Sequence, residues 1–356
     1  MVLPDGHIDN DFQFQPMKEL PMKLKNILAF AAVTLVALSS APSLAAAELV
    51  VYSARNDHLV KPLFDAYTEK TGVEINYVTD KAGPLLQRIK SEGANTNADL
   101  LITVDAGNLW HAANEGLLMP VNSEVLAANV PANLRDPENR WFGLSLRART
   151  IVYSTERVKD GELSTYEALG NPEWKGRLLL RTSKKVYNQS LIGMLIEEHG
   201  VKKTEEIVSS WVENLATAPF SNDTKVMEAI LAGQGDVGVV NTYYFGRLQK
   251  KNPEIALKLF WPNQQSGGVH VNVSGAGVTT HSKNKEEAIK FIEWLSSEEA
   301  QNLFADSNME YPVNPKVKPH EFVSAWGEFK ANPLDVSKAG ENQAEAIKLM
   351  DRAGYR

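Results

Sequence analysis

Ten tyrosines occur in the 356-residue chain, and two of them, Tyr243 and Tyr244, are adjacent. The pair follows the apolar run 237–241 and precedes Phe245-Gly246-Arg247; a third, Tyr187, stands well upstream in the polar stretch after Lys184-Lys185. A phenol, with a pKa near 10, is a poor ligand until a hard, highly charged cation displaces its proton. Ferric ion suits that role, because a hard ion favours oxygen donors, and three phenolates would neutralise its charge. The same rings also allow a half-buried aromatic pair at a strand end, or an aromatic wall around a small oxyanion or organic cation.

Other chemistries are harder to place. The chain has no cysteine, which excludes disulfides, thiolate zinc sites, iron–sulfur clusters and cysteine nucleophiles. None of its seven histidines forms a His-Glu-x-x-His pair, Gly-x-Ser-x-Gly and the Walker loop are absent, and Gly275-x-Gly277 lacks the third glycine of a dinucleotide fingerprint. A secreted hydrolase using Asp/Glu chemistry stays open as an alternative that no motif supports. With 37 Lys+Arg against 44 Asp+Glu the net charge is −7, and no basic run exceeds two residues, so neither nucleic acid nor an anionic membrane surface is an expected partner.

The elements that must position the tyrosines follow an α/β rhythm. Runs 48–52, 73–78 and 99–104 read as strands, alternating with helical stretches at 58–71, 85–91 and 109–115 that Gly72 and Gly116 close. A long strand-like run, 141–154, carries Arg147 and Arg149 in its middle. A second rhythm then follows: strand 178–180, helices 190–199, 204–215 and 223–231, strand 237–241, strand-rich 269–280, and helices 285–296 and 297–305. Two such rhythms joined by strand-like connectors predict two lobes and a hinge, with the ligand crevice at the carboxyl ends of strands, where Tyr52-Ser53-Ala54-Arg55 and Asp105 fall.

At the N-terminus, Met22-Lys23-Leu24-Lys25, an apolar run 27–38 and small residues at 43–47 read as a secretory signal peptide cut between Ala45 and Glu48. Residues 1–47 are therefore expected to be an N-terminal extension plus signal, with Met22 a possible true start, and the mature protein to be exported to a bacterial periplasm.

The mature chain resembles the periplasmic ferric-ion-binding proteins of ABC-type iron(III) importers, the bacterial transferrin-like solute-binding proteins. The likeness runs from Leu49-Val-Val-Tyr52-Ser through Ala98-Asp-Leu-Leu-Ile-Thr-Val-Asp105-Ala, Trp141-Phe-Gly-Leu-Ser-Leu-Arg147-Ala-Arg149 and Val239-Val-Asn-Thr-Tyr243-Tyr244-Phe-Gly-Arg247 to about Pro315. It implies a type II two-lobed periplasmic-binding-protein fold, each lobe a mixed, mostly parallel sheet flanked by helices. The N-lobe would span 48–147 with a return segment at about 275–315, and the C-lobe 148–274 with C-terminal helices at about 316–356. It further implies a non-enzymatic carrier, a monomer, that delivers Fe3+ to an inner-membrane ABC permease. Tyr187, Tyr243 and Tyr244 match the family's iron-ligating tyrosines. Where members carry Arg-His-Tyr this chain reads Arg55-Asn56-Asp57, leaving Asp57 and His58 as candidate N-lobe ligands. A synergistic anion such as carbonate would complete the sphere on Arg55 and Arg147, with Arg247 behind the phenolates and Asp105 orienting an arginine.

Overall fold

The computed structural model describes residues 47–356. The expected leader lies outside the described residues apart from Ala47. The strands are β1 (Glu48–Ser53), β2 (Glu74–Thr79), β3 (Leu100–Val104), β4 (Phe142–Ser154), β5 (Leu178–Leu179), β6 (Val237–Asn241), β7 (Leu257–Phe260), β8 (Val271–Val278) and β9 (Tyr311–Pro312). Between them run α1 (Asp57–Thr71), α2 (Ala82–Glu92), α3 (Ala106–Asn114), α4 (Glu124–Asn129), α5 (Val186–Glu213), α6 (Asp223–Leu231), α7 (Thr242–Lys251), α8 (Lys285–Leu295) and α9 (Glu298–Asn308), followed by α10 (Glu321–Ser324), α11 (Lys338–Glu341) and α12 (Gln343–Arg352).

Local chemistry accounts for these boundaries. In α1 the apolar positions Leu59, Val60, Leu63, Phe64 and Tyr67 fall on one buried face, and Gly72, at φ 76°, ends the helix by returning its N–H to the Thr68 carbonyl. The two helices expected at 190–199 and 204–215 lie end to end within α5, broken at Gly200, whose φ of 75° and ψ of 164° no helix tolerates.

The strand order is β2-β1-β3-β8-β4-β6-β5, with β7 and β9 also paired to β4. β4 joins two sheets. Its Phe142–Ala148 half pairs with β8, next to β3 and β1; its Arg149–Ser154 half pairs with β6 and β7. Each sheet has its own core. One gathers residues from Leu49 to Leu144 with Val273, Phe291, Phe304 and Val313; another gathers Ala148 to Val271 with Ala346, Leu349 and Tyr355. The α/β class with mixed sheets is as expected, but the parallel share is smaller than the rhythm implies. Only β1–β2, β1–β3 and β5–β6 run parallel among the described strands, because β4 and β8 thread back antiparallel through the middle.

That threading brings backbones close. A Cβ on Gly275 in β8 would sit 2.4 Å from the Phe142 carbonyl oxygen and 2.8 Å from Leu109 Cδ1. Gly275 is therefore a packing glycine of the sheet centre, with no phosphate-binding geometry around it. Gly275→Ala is expected to destabilise the fold by about 1–3 kcal/mol in urea denaturation.

Candidate metal centre

β6 feeds directly into α7, so Tyr243 and Tyr244 occupy the first turn of a helix at a strand's carboxyl end. Their rings lie 4.5 Å apart at 34°. Tyr187 also sits in a first turn, that of α5, and lines the same cleft as Tyr243 and Tyr244. The helix expected from 190 begins already at Val186, where Asn188 Nδ2 donates to the Arg181 and Thr182 carbonyls (2.9 and 3.0 Å), a tie that local propensity does not show. Two helix N-termini thus aim the phenols at one place, where their unpaired N–H groups favour negative charge.

That place is a cleft of about 540 Å³. The three tyrosines line it with Arg55, Asn56, Asp57, Lys81, Asn108, Lys185, Arg247, Asn308 and Glu310. Burial pushes the Tyr187 phenol up, as does the neighbouring Tyr244, against the pull of Arg147 and Arg181. Tyr243 is raised well above the usual range by burial and by both neighbouring phenols. Metal-free, these two hydroxyls are protonated at neutral pH.

Behind the phenols stand two buried arginine–carboxylate–arginine groups. Glu310 accepts from Arg55 Nη2 (3.0 Å), Arg147 Nη2 (3.2 Å) and Ser145 Oγ (2.6 Å). Burial alone would raise its pKa, but the two guanidiniums hold it at about 2. Asp223 accepts from Arg149 Nη1 (3.1 Å) and Arg181 Nη1 (3.3 Å). Arg147 and Arg149 straddle the point where β4 changes sheets. Near them His270 is driven down to about 3, first by burial and then by these two arginines.

The other candidates divide. Arg247 reaches the cleft as expected, its guanidinium 5.1 Å from the Tyr243 ring centre and 5.8 Å from that of Tyr244, and it donates to Asn308. Arg55 lines the cleft; Arg147 lies one layer deeper, donating to Ser274 and Glu310. Asp57 lines the cleft and accepts from Tyr77 (2.6 Å), whereas His58 is exposed on α1 and is not among the lining residues. Asp105 does not hydrogen-bond an arginine. Held at φ 77°, it is buried, caps α3 through Gly107 N (3.0 Å) and accepts from Ser190 Oγ of α5 (2.6 Å). The carboxylates that orient arginines are Glu310 and Asp223, which sequence reasoning missed along with Arg181. Glu310 lies 255 positions from Arg55, and no spacing rule reaches so far.

A second group with metal-binding chemistry is Glu167, Glu198 and His199, whose ligand atoms lie within 4.8 Å of one another. It is internally satisfied: His199 bonds Glu167 (2.8 Å), Asn263 donates to Glu167, and Asn332 to Glu198.

Two acid-linked losses follow. A histidine held at about 3 keeps the fold at full stability above its ordinary pKa near 6.5, and stability falls as pH drops from there toward 3. Glu310 adds a loss from about pH 4.5 down through 2, since its folded pKa lies below its unfolded one. Unfolding free energy measured against pH should therefore decline in both windows, and His270→Gln should flatten the upper one. Glu310→Gln, leaving Arg55 and Arg147 buried without a counter-charge, should cost about 3 kcal/mol at pH 7.

Residues 95–325 match the model of the family described as bacterial extracellular solute-binding protein. The chain is 44% identical over 315 residues to iron uptake protein A1 of Synechocystis sp., covering 87% of this chain and 88% of that one, and 43% identical over 336 residues to iron uptake protein A2 of the same organism (91% and 96%). Among solved structures it is similar to the Trichodesmium protein IdiA (FutA) in complex with iron and citrate, with 45% identity, a TM-score of 0.84, and 87% of this chain and all of that one covered. It is also similar to the open conformation of ferric iron-binding protein A from Mannheimia haemolytica (36% identity, TM-score 0.82, 87% and 99%). The chain has the type II two-lobed fold of these structures, and it belongs to the bacterial extracellular solute-binding proteins, in the branch that holds the periplasmic ferric-iron-binding proteins.

Proposed function

We propose that this protein captures Fe3+ between two lobes, with Tyr187, Tyr243 and Tyr244 as tyrosinate ligands, and hands it to an ABC permease of the inner membrane. The observation that carries this reading is the meeting of the three phenols, from two helix N-termini, on one cleft. The iron-binding and iron-uptake names of the relatives support the cargo. The crossover of β4 at Ala148–Arg149 supports a lobe division of 48–147 plus about 275–315 against 148–274 plus about 316–356, with closure as the signal a permease reads.

Three phenolates balance the ferric charge and leave coordination positions for other oxygens. Asp57, Asp80 and Glu310 are the carboxylates that line the cleft from the N-lobe side, and Asp57 stands where relatives carry the tyrosine of Arg-His-Tyr. Arg55 and Arg247 both line the cleft and are the guanidiniums read as partners of a synergistic carbonate or carboxylate anion; the Trichodesmium relative holds citrate with its iron. The match to solute-binding proteins and iron-uptake relatives supports reading the protein as a carrier rather than an enzyme. The leader-like N-terminus and the family support a periplasmic location, and no helix among the described residues is long and apolar enough to cross a membrane.

Loading the purified protein with ferric ion should produce a visible phenolate-to-iron charge-transfer band. Tyr187→Phe, Tyr243→Phe and Tyr244→Phe should each weaken ferric affinity by at least about a hundredfold, against the 10–100-fold typical of groups outside the ligand set. A colourless ferric complex, or affinity unchanged in all three variants, would overturn the reading. Because the Tyr187 and Tyr243 phenols carry protons before binding, each must lose one, so apparent affinity should fall about tenfold per pH unit for each proton displaced as the medium is acidified.

A further inference from the structure

The group formed by Arg149, Asp223 and Arg181 has a charge that the tyrosinate reading does not use. Asp223 is fully buried at the start of α6, and two guanidiniums share its one carboxylate. Arg149 is otherwise satisfied, donating to Asn188 Oδ1 (2.9 Å), Asn241 Oδ1 (3.0 Å) and the Val239 carbonyl (3.1 Å). Arg181 is not. It is 5% exposed, its Nε has no hydrogen-bond partner among the described residues, and its guanidinium lies 5.3 Å from the Tyr187 ring centre and 5.9 Å from that of Tyr244. Asp223 reaches the third tyrosine by another route: it accepts from the Asn241 backbone N–H (3.0 Å), and Asn241 Nδ2 donates to the Tyr243 hydroxyl (3.2 Å).

One carboxylate thus fixes what stands behind all three phenols, and its group holds one positive charge in excess of its negative. A buried excess charge is costly unless an anion joins it, and the nearest groups able to become anions are the tyrosines themselves. Resting on the tyrosinate reading, we propose that Arg181 and Asp223 are positioning residues that set how strongly the site prefers ferric over ferrous iron. Arg181 draws electron density toward itself through the Tyr187 and Tyr244 oxygens and so lessens the ferric preference. Asp223 counters half of that local positive charge and restores it. Both stand on the same side of the cleft as the tyrosines, Arg181 just past β5 and Asp223 at the start of α6.

The test measures the ferric/ferrous midpoint potential and the charge-transfer maximum of the iron-loaded protein at fixed pH and anion concentration. Arg181→Gln should shift the midpoint negative, raise the ferric-to-ferrous affinity ratio on the order of tenfold, and move the band to longer wavelength. Asp223→Asn should shift both the opposite way, and the double variant should return close to wild type. Arg181→Lys, which keeps the charge, should stay near the wild-type midpoint even where affinity drops. A merely structural role predicts losses of affinity without these opposed shifts. If Asp223→Asn does not fold, the Gln/Lys contrast at Arg181 decides. A wild-type band that Arg181→Gln leaves unmoved overturns this inference alone; a wild-type protein with no band overturns the tyrosinate reading and this inference with it.

Discussion

Everything at this site depends on placing phenol oxygens and guanidiniums together away from water. A phenol buried among phenols resists ionisation, and a guanidinium buried without a partner is expensive. The structure meets both demands by dividing them: carboxylates Glu310 and Asp223 each hold two arginines in place, and Arg181 stands beside the Tyr187 and Tyr244 rings. The Tyr187 and Tyr243 phenols keep their protons, and on the proposed reading a trivalent cation is what displaces them.

The fold supplies this arrangement through β4. One strand enters from the first sheet with Arg147 and continues into the second with Arg149, two residues later and on the same face. The two arginine–carboxylate groups therefore flank the crossover between sheets. Glu310 reaches one from the end of α9, Asp223 the other from the start of α6. Asp105 adds a further tie, hydrogen-bonding Ser190 of α5 less than one turn after Tyr187, so the first sheet and the tyrosine-bearing helix are linked beside the cleft.

Most of the fold was legible in the sequence because periodicity and glycine stops are local. The helix stopped by Gly72 and the strand before Tyr243 could be read from the short runs 58–71 and 237–241. The tyrosines were singled out by the adjacent pair after an apolar strand, a pattern that also fits aromatic packing; their reading as ligands came from the family resemblance, and the structure brings all three to one cleft. What escaped was non-local. The helical start at Tyr187 comes with Asn188 binding carbonyls across a turn, and the partners of Arg55 and Arg147 come from a carboxylate more than 160 positions away. Asp105 misled for the same reason: its position at a strand end suggested a cleft residue, but its strained backbone turns it inward to cap a helix. The antiparallel return of β8 was likewise invisible to a reading that follows the chain in order.

The central claim is that iron is held by these three oxygens. Crystals of the ferric-loaded protein, measured at the iron absorption edge, locate the metal without assumption. The account predicts one anomalous peak bonded to the phenolate oxygens of Tyr187, Tyr243 and Tyr244. A peak at the Glu167–Glu198–His199 group instead, or one in the cleft that touches none of the three, would contradict it.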